Sequence, residues 1–391
     1  MKLLVIGCGQ CGGRVADEFA RRERRAREQR GLSIVTDTIA VNTDIADLSG
    51  LTFIKTDQQH RILLGSRKSG GHGVGKINEI GAEIAKEEGD RVLESIENAQ
   101  QRARADAFLL IAGAAGGTGS GSIAELTQQV KERYSNNPVY TLVVLPFRYE
   151  ELTEERVIYN VGTCLKSVYL VADAVFLVDN QRYIADGESI KSNLTRINTR
   201  VVGPFYNLLC AGEEKEPRHI GSRVVDAGDI NQTLSGWTVI GHGKAPVSRG
   251  RFPLGGKFDF RNKVVENEKG LHAMNQAISA LSLKCRPEDA RKALYLLTAP
   301  PQEMSMNLIT DLSMSLRSVA TEALIRSGDY PRGRDTIDVT VILSELTNSG
   351  RISDYFSKAI RYIYLKKHRR GELKEGREGF DEALRDIPLL L

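Results

Sequence analysis

Residues Gly113 to Gly121 read GAAGGTGSG, directly after the apolar run Ala107 to Ala112 and before a helical pattern from Ser122 to Arg133. A buried strand that ends in a glycine-rich turn and opens a helix is a unit of a parallel α/β sheet. Glycine lets a backbone approach an anion closely and adopt positive φ. The free N–H groups of the following helix N-terminus then face a phosphate. Gly113, Ala115, Gly116, Gly117, Gly119 and Gly121 supply the backbone of such a loop, and Thr118 and Ser120 add hydroxyl donors. No Lys-Ser or Lys-Thr closes it, so it is not a Walker A loop.

Two further glycine-rich turns share this setting. Gly7 to Gly13 reads GCGQCGG after the strand-like Lys2 to Ile6, and a charged helix follows from Arg14 to Gln29. Alone it resembles the dinucleotide fingerprint and suggests an oxidoreductase, but that reading expects one such loop and an acidic residue about 20 positions on. Here a charged helix fills the interval and a second phosphate-type loop follows later. Gly70 to Gly75, GGHGVG, lies in a glycine-rich stretch from Gly65 to Gly75 before a helical pattern that runs through Glu88. It reads as a surface loop or as extra N–H donors for a γ-phosphate.

Ile34 to Val41, Tyr140 to Leu145 and Ala174 to Val178 are further apolar strands. Their alternation with helices gives the fold class: α/β, a doubly wound parallel-sheet domain over residues 1–188, with ligands at the carboxyl ends of its strands. A long amphipathic helix over 189–212 follows, with Pro204 inside it expected to bend it or interrupt its ladder. Residues 213–348 read as a second, smaller α+β domain. It has a short acidic loop at Val224 to Asp229, strands near Trp237 to Ile240, Ala293 to Leu297 and Thr336 to Leu343, and a helix near Gly270 to Ser282. Residues 349–391 form a basic helical tail.

A net charge of +4 over 391 residues gives no case for nucleic-acid binding, and the basic runs at Arg21 to Arg30 and Leu365 to Arg377 suit solvated helix faces. No stretch reaches the roughly 18 to 20 apolar residues that span a bilayer. The start MKLLVIG reads as a buried first strand of a cytoplasmic protein, not a signal peptide. Five cysteines argue against a disulfide framework. Cys8 and Cys11 form a C-x-x-C at a strand-to-helix turn, where a redox pair sits, but the surrounding glycines suit a phosphate loop better.

Taken in order, these segments resemble the nucleotide loops of the tubulin/FtsZ superfamily. Gly9-Gln10-Cys11-Gly12-Gly13 is similar to tubulin's G-Q-x-G. Ala40-Val41-Asn42-Thr43-Asp44 is similar to the second FtsZ loop, and Gly70, Gly71, His72 and Gly73 fall where the γ-phosphate-sensing loop belongs. Ala115 to Gly121 resembles the GGGTG(T/S)G signature with alanine at its first glycine, and Val178-Asp179-Asn180 resembles D-N-E. The resemblance covers nearly the whole chain. It implies GTP or GDP as ligand, with Asn42 and Asp44 among its contacts and Gln10 helping to hold Mg²⁺. Asn180 and Asn198 would bond guanine, with Leu194 packing on the ring. It also implies a ribose contact after Pro146-Phe147, for which Glu150, Glu154 and Arg156 stay open in an extended acidic stretch.

By the same resemblance Asp226 and Asp229, in VVDAGDI, fall on the loop that reaches the nucleotide of the next subunit. They would orient water for attack on the γ-phosphate. The alternative is two carboxylates capping a helix. FtsZ has N-x-D-x-x-D there, and Val224 stands at the asparagine. The tubulin-like first loop, the altered catalytic loop and Ile240 to Lys244, IGHGK, together look most like the archaeal CetZ group. That implies a filament-forming GTPase that stacks head to tail and serves cell shape, with an FtsZ-type division GTPase as the alternative. Arg385-Asp386-Ile387-Pro388 resembles the adaptor-binding tail of FtsZ without its long linker. A membrane adaptor and simple packing of an apolar terminus both remain open.

Overall fold

A computed structural model describes residues 1–185, 187–247, 260–333, 335–369 and 387–391. The chain divides into two compact units. One comprises Lys2–Val202 with Ser349–Leu391, and the other comprises Met1 with Gly203–Asn348.

The first unit contains strands β1 (Leu3–Cys8), β2 (Val35–Asn42), β3 (Arg61–Leu63), β4 (Ala107–Gly113), β5 (Val139–Leu145) and β6 (Ala174–Asp179). Its helices are α1 (Gly9–Arg30), α2 (Ile45–Ser49), α3 (Ser66–Ser69), α4 (Asn78–Arg102), α5 (Thr118–Arg133), α6 (Arg148–Thr153) and α7 (Glu155–Val171), and α8 (Ile190–Gly212) begins in it. All neighbouring strands pair in parallel, in the order β3-β2-β1-β4-β5-β6. Every residue of β1, β5 and β6 is buried, as expected of parallel strands covered on both faces. The strand order reverses between β1 and β4, which is where such sheets place their ligands.

The helices are longer than the sequence pattern marks. α1 and α5 begin inside their glycine loops, at Gly9 and Thr118, because glycine at a helix start leaves no apolar signal. α4 continues to Arg102. The acidic run after Phe147 is not extended: it folds as α6 and α7, and the reach-back half of a capping box starts α6, with Glu150 Oε2 accepting the Phe147 N–H at 2.8 Å. α8 runs through Pro204 without a break, so the missing N–H costs one bond and does not end the helix.

The second unit holds α9 (Ala227–Thr233), β7 (Gly236–Pro246), α10 (Phe260–Ser279), β8 (Ala290–Ala299), α11 (Met306–Val319), β9 (Leu324–Pro331) and β10 (Thr336–Leu346). Its sheet order is β7-β10-β8-β9, antiparallel except for the β8–β9 pair. α11 is the crossover that a parallel pair requires. Neither α11 nor β9 stands out in the sequence, and the acidic loop at Val224 to Asp229 turns helical at Ala227.

Helix α12 (Gly350–Arg369) packs on α7 in the first unit. The C-terminus packs there too: Ile387 and Leu390 are buried, and Ile387 joins Tyr159, Ile360 and Ile363 in one apolar cluster. Lys166 Nζ donates to the Ile387 carbonyl at 2.6 Å, and the Leu390 N–H donates to Ser167 Oγ at 2.9 Å. The apolar terminus is therefore seated on its own chain. Arg385 and Asp386 lie outside the described residues. No helix among the described residues is long and apolar enough to cross a membrane.

A buried histidine fixes the approach to β3. His60 Nδ1 lies 2.6 Å from Asp57 Oδ1, and its Nε2 lies 3.1 Å from Asp37 Oδ2. Lys55 and Arg102 also reach this cluster. The hydrogen bond to Asp37 raises the His60 pKa against the opposing effect of burial, and Asp57 adds to the rise. Burial alone would raise the Asp37 carboxyl, but bonding to His60 and the nearby positive charges outweigh it and hold it low. A raised histidine stabilises the fold fully below its unfolded pKa of about 6.5 and loses that contribution as pH rises through its folded value. We expect the wild type to exceed His60→Asn in urea midpoint at low pH. The gap should narrow as pH rises above about 6.5 and through the raised folded value; a constant gap would show that the charged imidazolium contributes nothing.

Candidate nucleotide site

A cavity of about 410 Å³ opens at the carboxyl ends of the first unit's strands. Its wall includes Cys8, Gly9, Gln10, Cys11 and Arg14 from the first loop, Asn42, Asp44 and Asp47 from the second, and Gly73 to Lys76 from the third. Gly113 and Ala115 to Gly119 come from the fourth loop, Leu145 to Phe147, Tyr149 and Glu150 from the stretch after β5, and Asn180, Leu194 and Asn198 complete it.

The two loops at the switch point nearly touch. Gly9 has φ +70°, and a Cβ built there would lie 2.7 Å from the Gly119 nitrogen. A Cβ on Gly12 would overlap the Ile111 carbonyl oxygen of β4. Glycine at both positions lets α1 and α5 start close enough for their N-termini to share one cavity.

Hydrogen bonds lace the remaining loops to these two. Thr43 Oγ1 and Thr118 Oγ1 are 2.6 Å apart, joining the second loop to the fourth. Gln10 Nε2 donates to Asp47 Oδ1 at 2.6 Å, joining the first to the second. The Gly73 N–H donates to the Thr43 carbonyl at 3.0 Å, and the Ile45 N–H to the Gly71 carbonyl at 3.0 Å, joining the third to the second. Asp44 caps α2, its Oδ1 accepting the Ala46 N–H at 2.8 Å and the Asp47 N–H at 3.3 Å. Asn180 follows Asp179, whose carboxylate accepts the Gln181 N–H at 3.0 Å. Leu194 and Asn198 stand one turn apart on α8, so both meet the same wall.

Several residues singled out from the sequence do not line the cavity. Gly12 and Gly13 lie in the first turn of α1, buried beneath it. Gly70, Gly71 and His72 turn toward the second loop, where His72 bridges to Asp44; only Gly73 of that set faces the cavity. Ser120 is buried and bonds the Gly116 carbonyl, and Gly121 lies against the Asn78 carbonyl of α4. Of the three ribose candidates, Glu150 alone is in the wall. Glu154 pairs with Lys76 at 2.6 Å, and Arg156 pairs with Glu79 and covers the Tyr159 ring.

The thiols do not fit a redox pair. Burial, opposed only by a bond to Ser122, pushes Cys8 up to about 12. Burial and the neighbouring Glu150 push Cys11 up to about 12. Both are free cysteines and stay protonated at neutral pH.

Asp226 and Asp229 lie in the second unit. Asp226 is the N-cap of α9, its Oδ1 accepting the Asp229 N–H at 2.8 Å. Asp229 stands in the first turn, 3.7 Å from the Arg326 guanidinium. Asp226 is exposed and Asp229 half-buried, so capping and an outward-facing role are compatible. Asp47, Lys76 and Thr43 were missed in the sequence. Asp47 carries a local signal, lying three residues after the Asp44 cap; Thr43 stands inside the motif of the second loop, and Lys76 carries none.

The family model described as the tubulin/FtsZ family GTPase domain matches residues 2–186. That for the tubulin-like CetZ C-terminal domain matches residues 187–361. Tubulin-like protein CetZ1 of Haloferax volcanii is 33% identical over 376 residues, 92% of each chain. Among solved structures, a GTPγS-bound protofilament of CetZ2 from the same organism aligns with TM-score 0.81 at 27% identity, covering 94% of this chain and 100% of that one. A GDP-bound CetZ1 monomer aligns with TM-score 0.78 at 30% identity, covering 92% and 99%. The fold and the loop set thus define a tubulin/FtsZ-type protein. The chain belongs to the tubulin-like CetZ family, which displaces the oxidoreductase reading of the first glycine loop.

The packing at Gly12 and Gly13 separates two kinds of glycine. Gly12→Ala should lower stability by about 1–3 kcal/mol or more through overpacking. Gly13→Ala, whose Cβ meets only the Leu51 methyls at 3.7 and 3.8 Å, should be neutral or gain up to about 1 kcal/mol of helix propensity. Urea unfolding of both variants checks this; equal effects would contradict the packing.

Proposed function

We propose that the chain binds GTP in the cavity at the β1/β4 switch point, stacks head to tail with copies of itself, and hydrolyses GTP at the junction, in cytoplasmic control of cell shape. The observation that carries this reading is the convergence of all the glycine loops with Asn180, Leu194 and Asn198 on one cavity. Phosphates lie over Gly9 and Ala115 to Gly119, where helix N-termini meet. Guanine lies at the other end, with Asn180 and Asn198 on its polar edge and Leu194 on its face. Glu150 is the ribose contact. The protofilament relative supports self-assembly.

Mg²⁺ fits the first two loops. Gln10, Asp44 and Asp47 supply oxygen donors in the cavity wall. Magnesium is commonly held by one or two carboxylates together with substrate phosphates. No group of three acidic, histidine or cysteine side chains among the described residues is arranged to hold a metal alone, which agrees with a cation that arrives with the nucleotide. It would offset the triphosphate charge. The tail residues Ile387 to Leu391 reach an adaptor only after leaving their seat on α7 and α12.

Asp226 and Asp229 complete the site of the next subunit and orient its attacking water. GTP turnover per subunit then rises with protein concentration. Asp226→Asn keeps the α9 cap and removes the charge. It should lower turnover on the order of 100-fold while GTP affinity and melting temperature stay near wild type. Asp229→Ala should do the same. Turnover that is flat with concentration, or loss of GTP binding in either variant, would sink the assignment.

A further inference from the structure

The buried side chain of Asn160 ties two phosphate loops to a helix outside them. Asn160 lies on α7 and is fully buried. Its Nδ2 lies 2.9 Å from the Lys76 carbonyl oxygen, 3.0 Å from that of Ala115 and 3.0 Å from that of Gly116. Three carbonyl oxygens around one amide atom require that atom to be the nitrogen, since the amide oxygen has no hydrogen to give.

This arrangement acts on the cavity through peptide geometry. In a trans peptide the carbonyl and the next N–H point in opposite directions. Holding the Ala115 and Gly116 carbonyls toward α7 therefore turns the Gly116 and Gly117 N–H groups away from α7. Both residues line the cavity, and neither N–H has a hydrogen-bond partner among the described residues. The third contact fixes Lys76, a non-glycine residue at φ 61°, a conformation that costs energy unless its surroundings hold it. Lys76 also lines the cavity, and its ammonium is paired with Glu154 at 2.6 Å.

We propose that Asn160 is a positioning residue for nucleotide phosphates: one buried amide orients the N–H donors of the fourth loop and locks the third loop to it. This rests on the nucleotide reading of the cavity and adds a residue that does not itself touch ligand. The two loops move as one body because they share one donor group. The effect falls on the phosphate end of the cavity and leaves the end lined by Asn180, Leu194 and Asn198 alone.

Asn160→Leu keeps the approximate volume and removes the donors; Asn160→Ser is smaller and keeps one. Affinities for GTP and for guanosine are measured by titration on each protein, together with its melting temperature without nucleotide. We expect Asn160→Leu to lose about tenfold or more in GTP affinity and to leave guanosine affinity within about twofold of wild type, with Asn160→Ser between. A general loosening of the fold would lower both affinities together. An unchanged ratio of GTP to guanosine affinity in whichever variant folds overturns the inference. Wild-type protein that binds neither GTP nor guanosine overturns the nucleotide reading instead.

Discussion

The site depends on one close approach. Two strand–turn–helix units meet at the switch point of a parallel sheet, with the Gly9 and Gly119 backbones nearly in contact and Gly12 against the β4 backbone. No side chain fits between them. Each helix brings N–H groups without intrahelical partners to the same place, and the two helix dipoles favour the same anion. One such terminus is a common anion site. Two at this separation suit the extended polyphosphate of the proposed nucleotide, met from both sides.

Hydrogen bonds spread that constraint outward. Gln10–Asp47, Thr43–Thr118 and Gly73–Thr43 tie the first, fourth and third loops to the second, and Asn160 fastens the third and fourth loops from below. Each bond contributes only about 0.5–1.5 kcal/mol net, so their joint value lies in fixing donor directions before ligand arrives. Such preorganisation is how a site stabilises developing charge without reorganising at the moment of reaction.

Much of this was legible in the sequence because glycine loops between an apolar strand and a helix are local patterns. The parallel sheet, the cavity loops, and Asn180, Leu194 and Asn198 follow from them or from the resemblance they carry. What escaped depends on tertiary contact. Gly70 to His72 look like a phosphate loop but turn toward Asp44, because the backbone bonds to Thr43 and Ile45 set the direction. Glu154 and Arg156 look like ribose contacts but spend their charge on Lys76 and Glu79. Asn160 reads as one polar residue in a helix, and only the fold places three carbonyls around it. Where α6 and α7 form, from Arg148 to Val171, the sequence showed only an acidic stretch.

The central claim is that this cavity holds a guanine nucleotide with its phosphates on the joined loops. A crystal structure of the protein grown with GTPγS and Mg²⁺ tests it directly. The account predicts triphosphate density over Ala115 to Gly119 and Gly9, and guanine between Leu194 and the amides of Asn180 and Asn198. An empty cavity at saturating nucleotide, or a nucleotide bound elsewhere on the chain, would contradict it.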